Sequence, residues 1–375
     1  MDTTGNRISA QPTQTENKVG STLSIVSRIV GVYISVIIGA GFASGQELMQ
    51  FFAGYGVLGI LGLALAGALF AATAWSVLDI CFQQKITSHS ELLRFVLGER
   101  LGFLIEMIVG FFLCVLFTAM IAGAGATGRQ VFDAPFFVGA AITVVLTFTA
   151  LLFDLDGLVA INARIAPFLA AGGLVIGFLT FFEQTRPVFA QEVFSNWLIS
   201  SLIYASYNIV TSISVLAAMS SMITKRKQSS LIGLWSGVIM TLLGFAMIYP
   251  LYLHYAEVKA LEIPLLVIAT RHGRLAQYMY LILLLGAILT TAVSNGFAIV
   301  KWIEERFLLP PLLVKILISL LGLAAAHVGF STLVARIYPI FSIVGLFETG
   351  AILLCWFRHR KSKAKGNQMP VAGKR

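Results

Sequence analysis

An all-α polytopic membrane protein is what the sequence predicts: ten transmembrane helices in two inverted five-helix repeats, with helices 1 and 6 broken near mid-depth. Three observations carry that prediction: the composition, the apolar runs and an internal repeat. Of 375 residues, 58% are hydrophobic and only 11% charged, with a mean hydropathy of +0.89; soluble domains carry roughly a quarter charged residues. A lipid bilayer is therefore the chain's first partner.

Apolar runs of roughly 17 to 25 residues are long enough to span the hydrocarbon core. They fall at 22 to 54, 57 to 80, 101 to 126, 136 to 153, 157 to 182, 196 to 220, 229 to 253, 275 to 300, 308 to 329 and 334 to 357. Residues 1–21 are polar, without the apolar core of a signal peptide, and read as a disordered cytoplasmic arm. Residues 22–182 and 183–357 form the two repeats, and 358–375 a basic cytoplasmic tail. Arg28, Lys85, Arg94, Arg100, Lys225, Arg226, Lys227, Lys301 and Arg306 all fall on the tail's side of this topology. The positive-inside rule then places both termini in the cytoplasm. The formal charge of +9 is this topological signal; a nucleic acid is not among the expected partners.

The repeat appears as ARIxP in the fifth and tenth spans, from Ala163 and Ala335, at an offset of 172. LFTAMIAGAG from Leu116 matches LTTAVSNGFA from Leu289 at 173, and SELLRFVLGERLG from Ser90 lies against IPLLVIATRHGRLA from Ile263 at nearly the same offset. Five spans is an odd number, so the second copy is inverted. Inverted repeats place a binding site at the midplane between the copies and support alternating access.

The first span carries the principal anomaly. A continuous helix over its roughly 33 residues would extend about 50 Å, well beyond a hydrocarbon core of about 30 Å. At its centre stands GAGFASGQE, residues 39 to 47, in which six of the first seven residues are small. Glycine unwinds at little cost, and irregular backbone at this depth survives only where it lines a cavity or is buried in protein. Two readings stand: a break that holds a solute, or a continuous helix whose small residues permit close packing. The sixth span, the repeat counterpart, carries YASYNIVTS at its centre, residues 204 to 212, and favours the break.

In the eighth span, Thr290 and Thr291 stack on Ser294 and Asn295 at helical i,i+4 spacing. With carbonyls freed at Gly39 and Phe42, the Thr290, Thr291 and Ser294 hydroxyls compose a candidate sodium shell; equally, such hydroxyls bond back to their own helix. Glu47 and Arg336 read as an outer gate, Glu106 and Arg164 as its inner counterpart, with static or snorkelling charges as the alternative. GAGATG at 123 to 128 ends an apolar span rather than joining strand to helix, so it is no dinucleotide fingerprint. The five histidines lack metal-ligand spacing, no ring of charges suggests a channel, and the expected protein is not an enzyme and carries no cofactor beyond a coupling Na+ or H+.

The phrase IGAGFASGQELMQFF, ten spans and a mid-span YASYN together resemble the YkvI-type membrane proteins within the amino acid–polyamine–organocation superfamily. The resemblance runs from about residue 24 to 358. It implies a LeuT-like five-plus-five fold, a bacterial cytoplasmic membrane location and symport of amino acids or related amines with sodium or protons. By the same resemblance Gly39, Ala40, Gly41, Phe42 and Ser44 line the site from the first helix. Tyr204, Ser206, Tyr207 and Asn208 face them from the sixth, and Thr291 and Ser294 match the cation positions. The chain departs from the GSG break of amino-acid permeases by carrying GAG followed directly by Gln46 and Glu47. The expected solute is a small zwitterion or amine, its carboxylate on the amides that open the outer half-helix. The alternative is a ligand-sensing receptor of transporter fold without net transport.

Overall fold

The computed structural model describes residues 22–153, 158–183, 196–307 and 309–364. The proposed arm and most of the basic tail lie outside the described residues.

Where the sequence places one span over 22 to 54, three helices follow one another: α1 (Thr22–Ile37), α2 (Ala40–Ser44) and α3 (Gln46–Phe51). Then come α4 (Val57–Gln84), α5 (His89–Leu97), α6 (Glu99–Phe132), α7 (Phe136–Leu152) and α8 (Leu158–Phe181). The second half runs α9 (Trp197–Met219), α10 (Arg226–Leu253), α11 (Tyr255–Val258), α12 (Pro264–Arg271) and α13 (Arg274–Phe307). It closes with α14 (Pro311–Ala325), α15 (Phe330–Thr332), a π turn over Leu333–Ile337 and α16 (Tyr338–Ala364). Seven helices among the described residues are long and apolar enough to cross a membrane, and shorter apolar helices Thr22–Ile37, Phe136–Leu152 and Ala171–Phe181 fall at the other three expected spans. The outer surface is studded with exposed Phe111, Leu146, Phe178, Ile282, Leu321 and Ile343, an apolar coat that suits lipid and not water.

The sixth span departs from expectation. α9 is one uninterrupted helix from Trp197 to Met219, so the predicted break there is corrected. Its polar residues bond to their own helix: Ser206 Oγ donates to the Leu202 carbonyl at 2.6 Å, Asn208 Nδ2 to Tyr204 at 3.0 Å and Ser212 Oγ to Asn208 at 2.9 Å. No glycine or proline lies between Trp197 and Met219, so nothing in the backbone invites unwinding.

The segments matched at the third repeat position are structural twins. α5 and α12 are short helices, each followed by a glycine at positive φ (Gly98 at +80°, Gly273 at +103°) and then by a 34-residue helix, α6 or α13. A search for long apolar runs cannot find helices this short. The two ARIxP copies differ in local backbone: Pro167 lies within α8, whereas Pro339 follows the π turn that contains Arg336. Proline offers no N–H to the carbonyl four residues earlier, and at Pro339 the widened turn absorbs the defect.

The halves meet where α4 crosses α10. A Cβ at Gly237 would stand 2.5 Å from the Gly67 carbonyl oxygen, and one at Gly67 3.0 Å from that of Gly237, a reciprocal approach only glycine permits. At one end of the bundle, the basic end, Arg226 grips Asp79 through Nε at 2.6 Å and Nη2 at 2.8 Å, and Trp356 Nε1 donates to the same carboxylate at 2.8 Å. These bonds tie α10, α4 and α16. His89 of α5 meets the fully buried Glu348 of α16 at 2.7 Å. Burial opposes the His89 imidazolium, but the Glu348 carboxylate and its hydrogen bond outweigh that and hold His89 above the ordinary histidine value.

Candidate functional site

The first half-helix ends because Gly39 is extended (φ −84°, ψ −174°). Its N–H turns back onto the Ile37 carbonyl at 2.9 Å. The chain re-enters a helix for Ala40–Ser44 and is interrupted again at Gly45, which is left-handed at φ +82°. The interruption therefore lies at the two edges of GAGFASG, with one helical turn held between them. Neighbouring helices satisfy carbonyls freed here and at the end of α3: the Tyr280 hydroxyl of α13 donates to the Ala43 carbonyl at 2.5 Å, and Ser200 Oγ of α9 to the Phe51 carbonyl at 2.8 Å. This is the condition on which irregular backbone persists at membrane depth.

A cavity of about 200 Å³ opens at the first interruption. Its floor is Gly39, Ala40 and Gly41; Glu47, Tyr207, Asn208, Thr291 and Ser294 project into it. It extends past Thr211, Ser214, Asn295 and Ala298 toward the basic end of α9 and α13, where Ser214 is exposed. In the other direction aromatic rings close it. Tyr204 and Tyr207 pack edge to face with centroids 5.7 Å apart, Tyr207 meets Tyr338 at 5.0 Å, and Phe52 meets Tyr204 at 4.8 Å. Phe51 leans on both α9 tyrosines, at 5.8 and 5.7 Å.

Of the residues expected at the site, Gly39, Ala40, Gly41, Tyr207, Asn208, Thr291 and Ser294 line the cavity; Phe42, Ser44, Tyr204, Ser206 and Thr290 do not. Phe42 is core, Ser44 Oγ donates to the Gly41 carbonyl at 2.9 Å, and Tyr204 belongs to the aromatic closure. Thr290 Oγ1 bonds back to the Gly286 carbonyl at 2.9 Å, while the carbonyls of Gly39 and Phe42 accept from Ala43 and Gly45, each at 3.0 Å. Ser294 Oγ is buried without a hydrogen-bond partner among the described residues. Sequence reasoning missed Met120 on α6 and Tyr338 on α16, which also line the cavity. It missed Thr211 too, although Thr211 follows Asn208 at the i+3 spacing of one helical face.

The charged residues fall differently from expectation. Glu47 is only 6% exposed and turns inward against Gly41, where an added Cβ would overlap its carboxylate. Arg336 is exposed on the π turn, and no ion pair joins it to Glu47 among the described residues. The expected outer pair is therefore absent from this conformation, because Gly41 leaves a recess that draws Glu47 into the cavity. Glu106 is engaged by Arg306 Nη2 at 2.6 Å and by Ser90 Oγ at 2.5 Å; its partners come from α13 and α5. The side chain of its expected partner Arg164 lies outside the described residues. The Glu47 carboxylate lies against Gly41, in the turn between the two interruptions.

No protein-family model matches the chain. It is 24% identical over 331 residues to the uncharacterized membrane protein YkvI of Bacillus subtilis, covering 87% of this chain and 95% of that protein. It is 26% identical over 320 residues to the uncharacterized protein YyaD of the same organism, covering 85% and 93%. Among solved structures it resembles the Eremococcus coleocola manganese transporter with a TM-score of 0.58 at 16% identity, covering 89% of this chain and 78% of that one. It also resembles MhsT in complex with L-phenylalanine, with a TM-score of 0.56 at 14% identity, covering 88% and 97%. These likenesses show a fold shared with LeuT-like membrane transporters.

Proposed function

We propose that the chain is a secondary transporter that moves a small amine-bearing solute, an amino acid or a related amine, by alternating access coupled to Na+ or H+. The observation that carries this reading is the cavity at the interruption between α1 and α2, into which Glu47, Asn208, Thr291 and Ser294 bring polar groups and which faces α9 and α13 across the bundle. Half-helix ends and unwound backbone at the interface of inverted repeats are where such transporters hold their cargo. The positive-inside rule assigns the basic end to the cytoplasm, so the conformation described is open inward and closed outward by Tyr204, Tyr207, Tyr338 and Phe51.

The neighbouring folds are those of a manganese transporter and of a protein solved with L-phenylalanine, so both solute classes belong in the test. The cavity lining includes one carboxylate and no basic side chain, which favours a single positive charge over a divalent ion needing several hard ligands. Proteoliposomes with an imposed sodium or proton gradient, offered labelled amino acids, amines and Mn2+, should accumulate an amine-bearing solute against its gradient. Counterflow should then exchange label across the membrane. Binding with no exchange in any arm indicates a ligand-sensing receptor and overturns the reading.

A further inference from the structure

Glu47 has the least compensated charge in the cavity. It is 6% exposed, its Oε2 has no hydrogen-bond partner, and no cationic side chain pairs with it among the described residues. The groups facing it are phenols: Tyr204 and Tyr207 from α9 and Tyr338 from α16. The Tyr204 hydroxyl is buried without a hydrogen-bond partner among the described residues, and the Tyr207 hydroxyl interacts with the Glu47 carboxylate itself. On α10, which also packs against α3, Tyr252 is engaged elsewhere, its hydroxyl donating to the Gly56 carbonyl at 2.6 Å. From the π turn, Arg336 is exposed.

A carboxylate taken out of water with no counter-ion costs several kcal/mol or more, so a positive charge must accompany it. Sodium is poorly served, because Thr290 and Phe42 lie outside the cavity lining, which leaves only Gly39, Thr291 and Ser294 of the expected oxygen shell. Two monovalent cations remain that one carboxylate and a ring of tyrosines accommodate: a proton, and an ammonium group whose N–H donors find Glu47 and the neighbouring phenol oxygens while its charge rests on ring faces.

They are mutually exclusive. A protonated Glu47 has no charge to offer an ammonium group, and an ammonium group in place leaves no reason to take up the proton. Resting on the transporter reading, we infer that Glu47 is a single exchange position at which a proton and the ammonium group of a solute displace one another. The coupling ion is then the proton, and the two move in opposite directions. The preferred solute is a cationic amine rather than its amino acid, because an α-carboxylate entering the cavity meets Glu47 and no basic side chain. The recess over Gly41 is what seats the carboxylate there, so the glycine belongs to the device.

The test uses matched pairs that differ only in the carboxyl group: ethylamine with L-alanine, isobutylamine with L-valine, phenethylamine with L-phenylalanine. Binding to the purified full chain is measured between pH 5.5 and 8.5, where these amines stay protonated. One amine at least should bind more than tenfold tighter than its amino acid, independently of sodium. Its affinity should fall toward about tenfold per pH unit on the acid side, the slope of one-for-one competition, and binding should release a proton into a weakly buffered solution. E47Q should lose the pH dependence and bind the amine at least tenfold more weakly, while melting at the wild-type temperature or above. Should E47Q fail to fold, the wild-type slope and proton release decide alone. A flat pH profile in the wild type, retained pH dependence in E47Q, or sodium-dependent preference for the amino acid overturns the exchange position. The last of these leaves the transporter reading standing, whereas absence of both binding and counterflow for every compound in the panel removes that reading as well.

Discussion

α9 and the stretch from α1 to α3 each carry polar residues at mid-span, were expected to break alike, and pack against one another. Yet one is broken twice and the other not at all. The difference lies in where the polar groups sit. In α9 they are side chains, and Ser206, Asn208 and Ser212 return their hydrogen bonds to carbonyls four residues back. In the stretch from Gly39 to Gly45 the polar group is the backbone itself, uncovered where glycines carry no side chain. Polarity at mid-span therefore does not unwind a helix; it does so only where the backbone can leave helical geometry cheaply and neighbours such as Tyr280 and Ser200 receive what is exposed.

The harshest way to break the comparison is to give α9 the interruption that its sequence withholds. Ser206→Pro removes an N–H from a continuous helix and should cost about 3 kcal/mol or more, read as a large fall in the melting temperature of the purified protein. A wild-type melting curve would mean that α9 is already open at that turn. Next in size is Gly45→Ala. The left-handed conformation at φ +82° costs an alanine about 1–2 kcal/mol, and its Cβ would stand 2.7 Å from Leu265 Cγ on α12. An unchanged melt there would show that the second interruption does not need glycine.

This contrast also explains what the sequence discloses and what it hides. The spans were legible because lipid demands long apolar runs. The first interruption was legible because six small residues in seven is an unusual centre for an overlong span. Its extent was not: whether Ala40–Ser44 stays helical depends on Gly39 and Gly45 taking different conformations, which composition does not encode. Predicting a break in α9 read polar side chains at mid-span as unwound backbone. Likewise, pairing Glu47 with Arg336 followed from depth along two helices. The direction in which Glu47 turns is set by the recess over Gly41, a fact of packing.

Smaller perturbations sharpen the comparison further. Asn208→Ala removes the side-chain bond to the Tyr204 carbonyl, a loss of about 1 kcal/mol. It also clears a polar group from the cavity wall, so solute affinity should fall while α9 stays helical by circular dichroism. A drop in helix content would show that the back-bond keeps α9 whole. The smallest effect carries the opposite sign. Gly39 is extended at φ −84°, a conformation alanine adopts, and a Cβ there meets nothing within 4 Å. Gly39→Ala should therefore stabilise the protein by about 0.4–1 kcal/mol, through the unfolded chain, while its methyl group projects into the room a solute occupies. Opposite movement of the two readouts, a higher melting temperature with weaker uptake, identifies the first interruption as a place kept open for cargo. A fall in both would mean that Gly39 is retained for a backbone conformation alanine cannot reach.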